Sequence, residues 1–148
     1  MTQLSPHFAL EELTFSQTAS RSGIANVPSV PDIENLRRLC VTVLEPARTL
    51  LGVPLHVDSG YRSAILNKLV GGALTSAHME GRAADVVPIG MSLLEAFARL
   101  RASSIPFDQV ILECQAWIHL SIAEAGEPVR AEALLASGTP GHWSYVNA

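Results

Sequence analysis

Two histidines and an aspartate carry the chemistry that stands out in this chain. Ser76-Ala77-His78-Met79-Glu80-Gly81-Arg82-Ala83-Ala84-Asp85 sets an imidazole and a carboxylate seven positions apart, with a glycine and small alanines between them. Trp117-Ile118-His119-Leu120-Ser121 adds a second imidazole in a stretch that reads as a strand. Two imidazoles and one carboxylate are the ligand set of a catalytic zinc centre whose fourth position stays open to water. Neutral imidazole and carboxylate bind the ion tightly yet leave it Lewis-acidic. Zinc lowers the pKa of its water to roughly 7 and polarises a scissile carbonyl. Such a centre also needs a general base for the water's proton, and a cation for the developing oxyanion or a substrate carboxylate. Arg62 is the candidate cation, because a loop just after a strand projects it into a cleft.

Side-chain alternation decides whether these groups can meet. In a strand over 83–87, Asp85 shares a face with Ala83 and Val87. In a strand over 117–121, His119 shares a face with Trp117 and Ser121, while Ile118 and Leu120 point toward a core. Asp85 and His119 then stand on one open face, and the turn at Gly81 folds His78 back over it. His7, His56 and His142 stay outside this set. His56 lies opposite Leu55 and Val57 on a strand and reads as a surface residue, whereas His142, in the tail, remains within reach of the site.

The elements that must position these groups follow from periodicity and punctuation. Residues 6–20 read as a short helix with acids in its first turn, and 20–31, rich in Ser, Pro, Gly and Asn, as a loop. Apolar residues from Ile33 to Leu51 repeat at helical spacing, which predicts a long helix over about 30–51. Ser29 and Asp32 form its capping box, Pro46 kinks or divides it, and Gly52 ends it. Strands are expected at 54–58, 83–87, 108–113 and 117–122, and a last strand or edge segment at 131–137. Helices are expected at 64–70 and after Ser92, and the tail from Gly138 to Ala148 has no assigned structure. Helices mixed with tightly joined strands imply an α+β domain with a small, largely antiparallel sheet and helices packed on one side.

Composition bounds the function. The 148 residues, 48% of them hydrophobic, fit one domain with its own core. The net charge is −4, Lys68 is the only lysine and no basic block occurs, which argues against nucleic-acid binding. No apolar run approaches the ~20 residues of a membrane span, and the N-terminus has no secretory pattern. The expectation is therefore a chain made in the cytoplasm without a signal peptide; the sequence is silent on oligomeric state, and a monomer is the default. Cys40 and Cys114 form no CxxC pair, and Cys40 reads as a buried thiol on the long helix, with a disulfide the weaker alternative.

Ser76-x-His78-x-x-Gly81-x-Ala83-x-Asp85, with Ser59-Gly60-Tyr61-Arg62-Ser63 upstream and Trp117-x-His119-x-Ser121 downstream, resembles the zinc D-alanyl-D-alanine carboxypeptidase family. That family includes L-alanyl-D-glutamate endopeptidases of phage lysins, and the signalling domain of hedgehog proteins shares its fold. The opening Leu4-Ser5-Pro6-His7-Phe8 with Glu11-Glu12-Leu13 resembles a compact phage and prophage subgroup, so the likeness runs over about residues 4–122. The resemblance implies a hedgehog/DD-peptidase-like fold and one zinc ion held by His78, Asp85 and His119. It also implies that Arg62 meets the substrate near the scissile carbonyl and that Ser76 supplies a supporting or substrate-binding hydroxyl. Tyr61, Ser121 and Trp117 are further substrate-binding candidates from the same motifs. Members cut peptidoglycan stem peptides beside D-amino acids, and action on the cell wall after holin-type release would suit a chain without a signal.

One position departs from the pattern. Many members carry the catalytic acid three residues before the second histidine, where this chain has Ala116. Glu113, six residues before His119, is the nearest upstream carboxylate and the candidate base. The alternative is a catalytically weak zinc-binding module that recognises cell-wall peptide or a protein partner.

Overall fold

The computed structural model describes residues 1–148. A short antiparallel pair, β1 (Gln3–Ser5) and β2 (Phe8–Ala9), opens the chain, followed by α1 (Leu10–Thr14) and α2 (Gln17–Ser22). The expected single helix over 6–20 is thus a hairpin and two short helices. Ser16 interrupts the run, because its side chain accepts the Ala19 N–H and starts α2 afresh.

The long helix forms where the periodicity predicts it. Ser29 and Asp32 close the capping box of α3 (Val30–Leu39). Pro46 has no N–H to offer, and the helix accommodates it without breaking. One wide turn spans Cys40–Leu44, in which the Glu45 N–H reaches back to the Cys40 carbonyl, and α4 (Glu45–Leu51) continues to Gly52. Beyond it lie β3 (Leu55–Ser59), α5 (Ala64–Leu69), a 3₁₀ turn at Ala77–Glu80, β4 (Ala83–Pro88) and α6 (Leu93–Arg101). The chain closes with β5 (Gln109–Glu113), β6 (Trp117–Ser121), β7 (Glu132–Thr139) and β8 (His142–Asn147).

These strands form one six-stranded sheet in the order β3-β4-β6-β5-β7-β8. Every neighbouring pair is antiparallel except β5 with β7. The parallel pair arises because the chain leaves β6 and passes β5 before re-entering the sheet. Asp108 fastens that crossing: its carboxylate accepts the Arg130 backbone N–H and guanidinium, and its carbonyl accepts the Glu132 N–H. The stretch expected as an unassigned tail is β8, paired with β7 from Leu134↔Asn147 to Thr139↔His142.

One face of the sheet is dry. Leu55, Val57, Ala84, Val86, Val110, Leu112, Ile118 and Leu120 pack there against Leu36, Leu39, Val43, Leu44, Phe97 and Leu100 of the helices. Burial of each large aliphatic side chain contributes about 1.5–3 kcal/mol. Cys40 lies inside this core as a free thiol, pushed up to about 12 by burial, and Cys114 is free and exposed. The long helix and α6 therefore cover one side, and the other side is left open for chemistry, with α2 and α5 at its rim. No helix is long and apolar enough to cross a membrane.

Candidate active site

The open face of the sheet gathers the motif residues by register. Asp85 of β4 pairs with His119 of β6, and His119 pairs with Ile111 of β5. Cross-strand partners share a face, so Asp85 and His119 stand side by side on the open surface. His78 arrives from the 3₁₀ turn, which Ser76 caps by accepting the His78 N–H at 3.2 Å and Gly81 ends in a left-handed conformation at φ 71°. The turn then feeds directly into β4.

The three side chains converge. His78 Nε2 lies 3.3 Å from Asp85 Oδ1 and 3.3 Å from His119 Nδ1, and His119 Nδ1 lies 3.0 Å from Asp85 Oδ1. A tetrahedral ion with bonds of about 2.0–2.1 Å separates its ligand atoms by roughly 3.3 Å. The Gly60 carbonyl, 2.7 Å from His78 Nδ1, can only accept, so that nitrogen carries the proton and Nε2 presents a lone pair. That lone pair faces a carboxylate oxygen with no donor between them, a buried arrangement that calls for a cation. The residues present therefore fit one zinc ion.

All three groups are buried, at 1%, 6% and 8% exposure for His78, Asp85 and His119. Burial pushes the His78 imidazole down toward its neutral form, the form a ligand needs. Burial alone would raise Asp85, but the two imidazoles outweigh it and hold the carboxyl well below the usual carboxylate range. Burial likewise disfavours a charged His119, and its hydrogen bond and charge attraction to Asp85 reverse that, holding it up.

Around this group the remaining candidates fall into place or out of it. Glu113 ends β5 opposite Trp117, on the same face as His119. Its Oε2 accepts the Trp117 indole N–H at 2.9 Å, and its Oε1 lies 3.7 Å from His119 Nδ1. Cys114 and Gln115, both at positive φ, make the tight turn that keeps this register, and Ala116 is merely an exposed turn residue. Burial and the charge of Asp85 push the Glu113 carboxyl up. Arg62 is fixed by its backbone N–H to the His78 carbonyl at 3.0 Å, and its Nη2 donates to Ser76 Oγ at 3.4 Å. Its Nε is buried without a partner.

Ser121 lines the same cleft, but its hydroxyl accepts the Gln109 N–H and ties two strands together. Tyr61 does not enter the cleft; it is 8% exposed within the main core. In an extended segment neighbouring side chains point opposite ways, and Arg62 takes the cleft side. His142, paired with Thr139 at the hairpin end, falls outside the cleft lining, as does His56.

The cleft has a volume of about 830 Å³. Beyond the motif residues it is lined by Ile111, Leu134, Trp143 and Tyr145 from the second half of the sheet. Sequence reasoning left these out, although alternation through Leu134, Ala136 and Gly138 was a usable signal.

The sequence profile of peptidase M15 matches residues 6–121, which include His78, Asp85, Glu113 and His119. The chain belongs to the peptidase M15 family. Among curated proteins, none matches the chain. Membership and the buried three-donor group together make this M15 protein a zinc metallopeptidase, with one ion at His78, Asp85 and His119. Its substrate is accordingly a peptide.

Proposed function

We propose that this M15 protein hydrolyses peptidoglycan stem peptides next to D-amino acids, with Glu113 as general base and Arg62 as the oxyanion or substrate-carboxylate partner. The observation that carries the reading is the Glu113 carboxylate, held by the Trp117 indole 3.7 Å from His119 Nδ1 and beside a buried, incompletely paired guanidinium. Zinc, when bound, supplies Lewis acidity to the scissile carbonyl and eases ionisation of the attacking water. Glu113 takes the water's proton as the water oxygen bonds to the carbonyl carbon, and then returns it to the leaving amine as the C–N bond breaks. The Arg62 guanidinium offers N–H donors to the oxygen on which charge develops. Ser76 holds Arg62 from one side and caps the His78 turn on the other.

A Glu113 carboxylate 3.7 Å from His119 Nδ1 offers a base where Ala116 offers none, which favours turnover over a metal-holding module without activity. The cell-wall assignment, as a D-Ala-D-Ala carboxypeptidase or an L-Ala-D-Glu endopeptidase in a lysin-type setting, rests on the motif resemblance. Mass spectrometry of fragments released from purified peptidoglycan, with zinc and with a chelator, tests it. Release that the chelator stops supports the reading, and the fragment masses name the bond. Unchanged peptidoglycan under both conditions refutes it. Glu113→Gln should lose about 10²-fold or more in turnover while retaining zinc; full turnover by that variant removes Glu113 from its role.

A further inference from the structure

The β7–β8 hairpin lies outside the stretch matched to the family, yet it faces the active centre. Two rows of cross-strand partners run over the open face of the sheet. One is Asp85, His119, Ile111, Leu134 and Asn147; the other is Trp117, Glu113, Ala136 and Tyr145. Tyr145 therefore stands two strand spacings from Glu113, about 10 Å across the sheet, with only the methyl group of Ala136 between them. Trp143 pairs with Gly138, which has no side chain, so the indole has room to lean toward the cleft.

Ile111, Leu134 and Ala136 form a small apolar cluster separate from the main core, at 3%, 9% and 6% exposure. They lie on the sheet face away from the helices, and both aromatic residues stand beside them. The hairpin tip is tied across the cleft, where the Gly141 N–H donates to the Gly71 carbonyl at 3.2 Å and Pro140 rests against Gly71. The aromatic pair is thus held in place and does not hang free.

We propose that Trp143 and Tyr145 form a substrate-gripping wall: the apolar shelf of Ile111 and Leu134 takes a small uncharged side chain of the peptide, and the Tyr145 hydroxyl donates to a backbone carbonyl beside it. This deepens the peptidase reading above and rests on it. Burial and the charges of Glu113 and Asp85 push the Tyr145 phenol up, so it keeps the proton it donates. An alanine side chain of a stem peptide has the size and polarity the shelf accepts.

The test uses zinc-loaded protein carrying Glu113→Gln, so that binding is read without turnover. The probe is a synthetic stem pentapeptide ending in D-Ala-D-Ala, titrated calorimetrically. Adding Tyr145→Phe should raise Kd about 3- to 10-fold, the worth of one hydrogen bond, and adding Trp143→Leu about 10-fold. In the Glu113 parent, the same two changes should raise KM by similar factors and leave kcat within about 3-fold, with zinc content and circular dichroism unchanged. Both variants binding within 1.5-fold of their background overturns the wall, as does a tenfold loss of kcat at constant KM. If the protein without hairpin changes binds no pentapeptide, the cell-wall reading falls and the wall falls with it.

Discussion

Gly52 and Gly81 offer a controlled comparison between backbone strain and steric conflict at the active centre. Both adopt φ 71°, so alanine at either position pays the same left-handed penalty of about 1 kcal/mol. Around Gly52 a Cβ meets nothing within 4 Å. At Gly81 it would collide with the Asp32 carbonyl oxygen and sit 3.0 Å from Leu36 Cγ, both on α3. Backbone cannot swing aside as a side-chain end can, so the conflict adds about 1–3 kcal/mol. Gly52→Ala should lower Tm by about 3 °C and Gly81→Ala by about 10 °C, using the usual scaling for a domain of this size. The Gly81 N–H donates to the His78 carbonyl at 3.3 Å, so relief of the clash displaces His78. Zinc affinity should consequently fall tenfold or more in Gly81→Ala and stay unchanged in Gly52→Ala. Thermal denaturation with competitive zinc titration reads both quantities. Equal destabilisation by the two variants, or unaltered zinc affinity in Gly81→Ala, refutes the packing argument.

Other outcomes follow from single contacts. Trp117→Phe keeps an aromatic side chain but removes the donor to Glu113, and turnover should drop about tenfold with zinc content constant; unchanged turnover would mean that the indole does not position the carboxylate. Burial would raise the Asp108 carboxyl, but its hydrogen bonds and ion pair with Arg130 outweigh burial and hold it below its ordinary value. A carboxyl depressed on folding contributes stability that is complete above its unfolded pKa of about 3.9 and is lost as pH falls through the lower folded value. Asp108→Asn should therefore be less stable by about 1–2 kcal/mol at pH 7, allowing for the exposure of Arg130. The gap in urea midpoints should narrow below about pH 4, and a gap independent of pH would contradict the linkage.

Much of the site was legible in the sequence because its determinants are local. The turn at Gly81 and a period-2 alternation are enough to put His78, Asp85 and His119 on one face, and the structure keeps that phase in β4 and β6. Glu113 stands out in the sequence as the nearest carboxylate upstream of His119, and the turn at 114–116 pairs it with Trp117 on the same face as His119. The long helix was legible from its periodicity, but the wide turn at Cys40–Leu44 was not, because proline can be absorbed by a kink, a break or a re-registered turn. Tyr61 was misplaced by its membership in a motif, although its neighbour Arg62 already occupied the cleft side. The second half of the sheet was the least legible. The parallel partner of β5 depends on Asp108 and Arg130 meeting across 22 positions, a tertiary contact with no local pattern. β8 is an edge strand with five of its six residues exposed, so it shows no hydrophobic alternation.

The central claim is that one zinc ion sits among His78, Asp85 and His119, and zinc K-edge X-ray absorption of the loaded protein tests it most directly. Four nitrogen or oxygen neighbours at about 2.0–2.1 Å are expected, with the scattering signature of two imidazoles that falls to one in His119→Ala. A sulfur neighbour near about 2.3 Å, or a spectrum indifferent to loss of His119, would place the metal elsewhere and contradict the account.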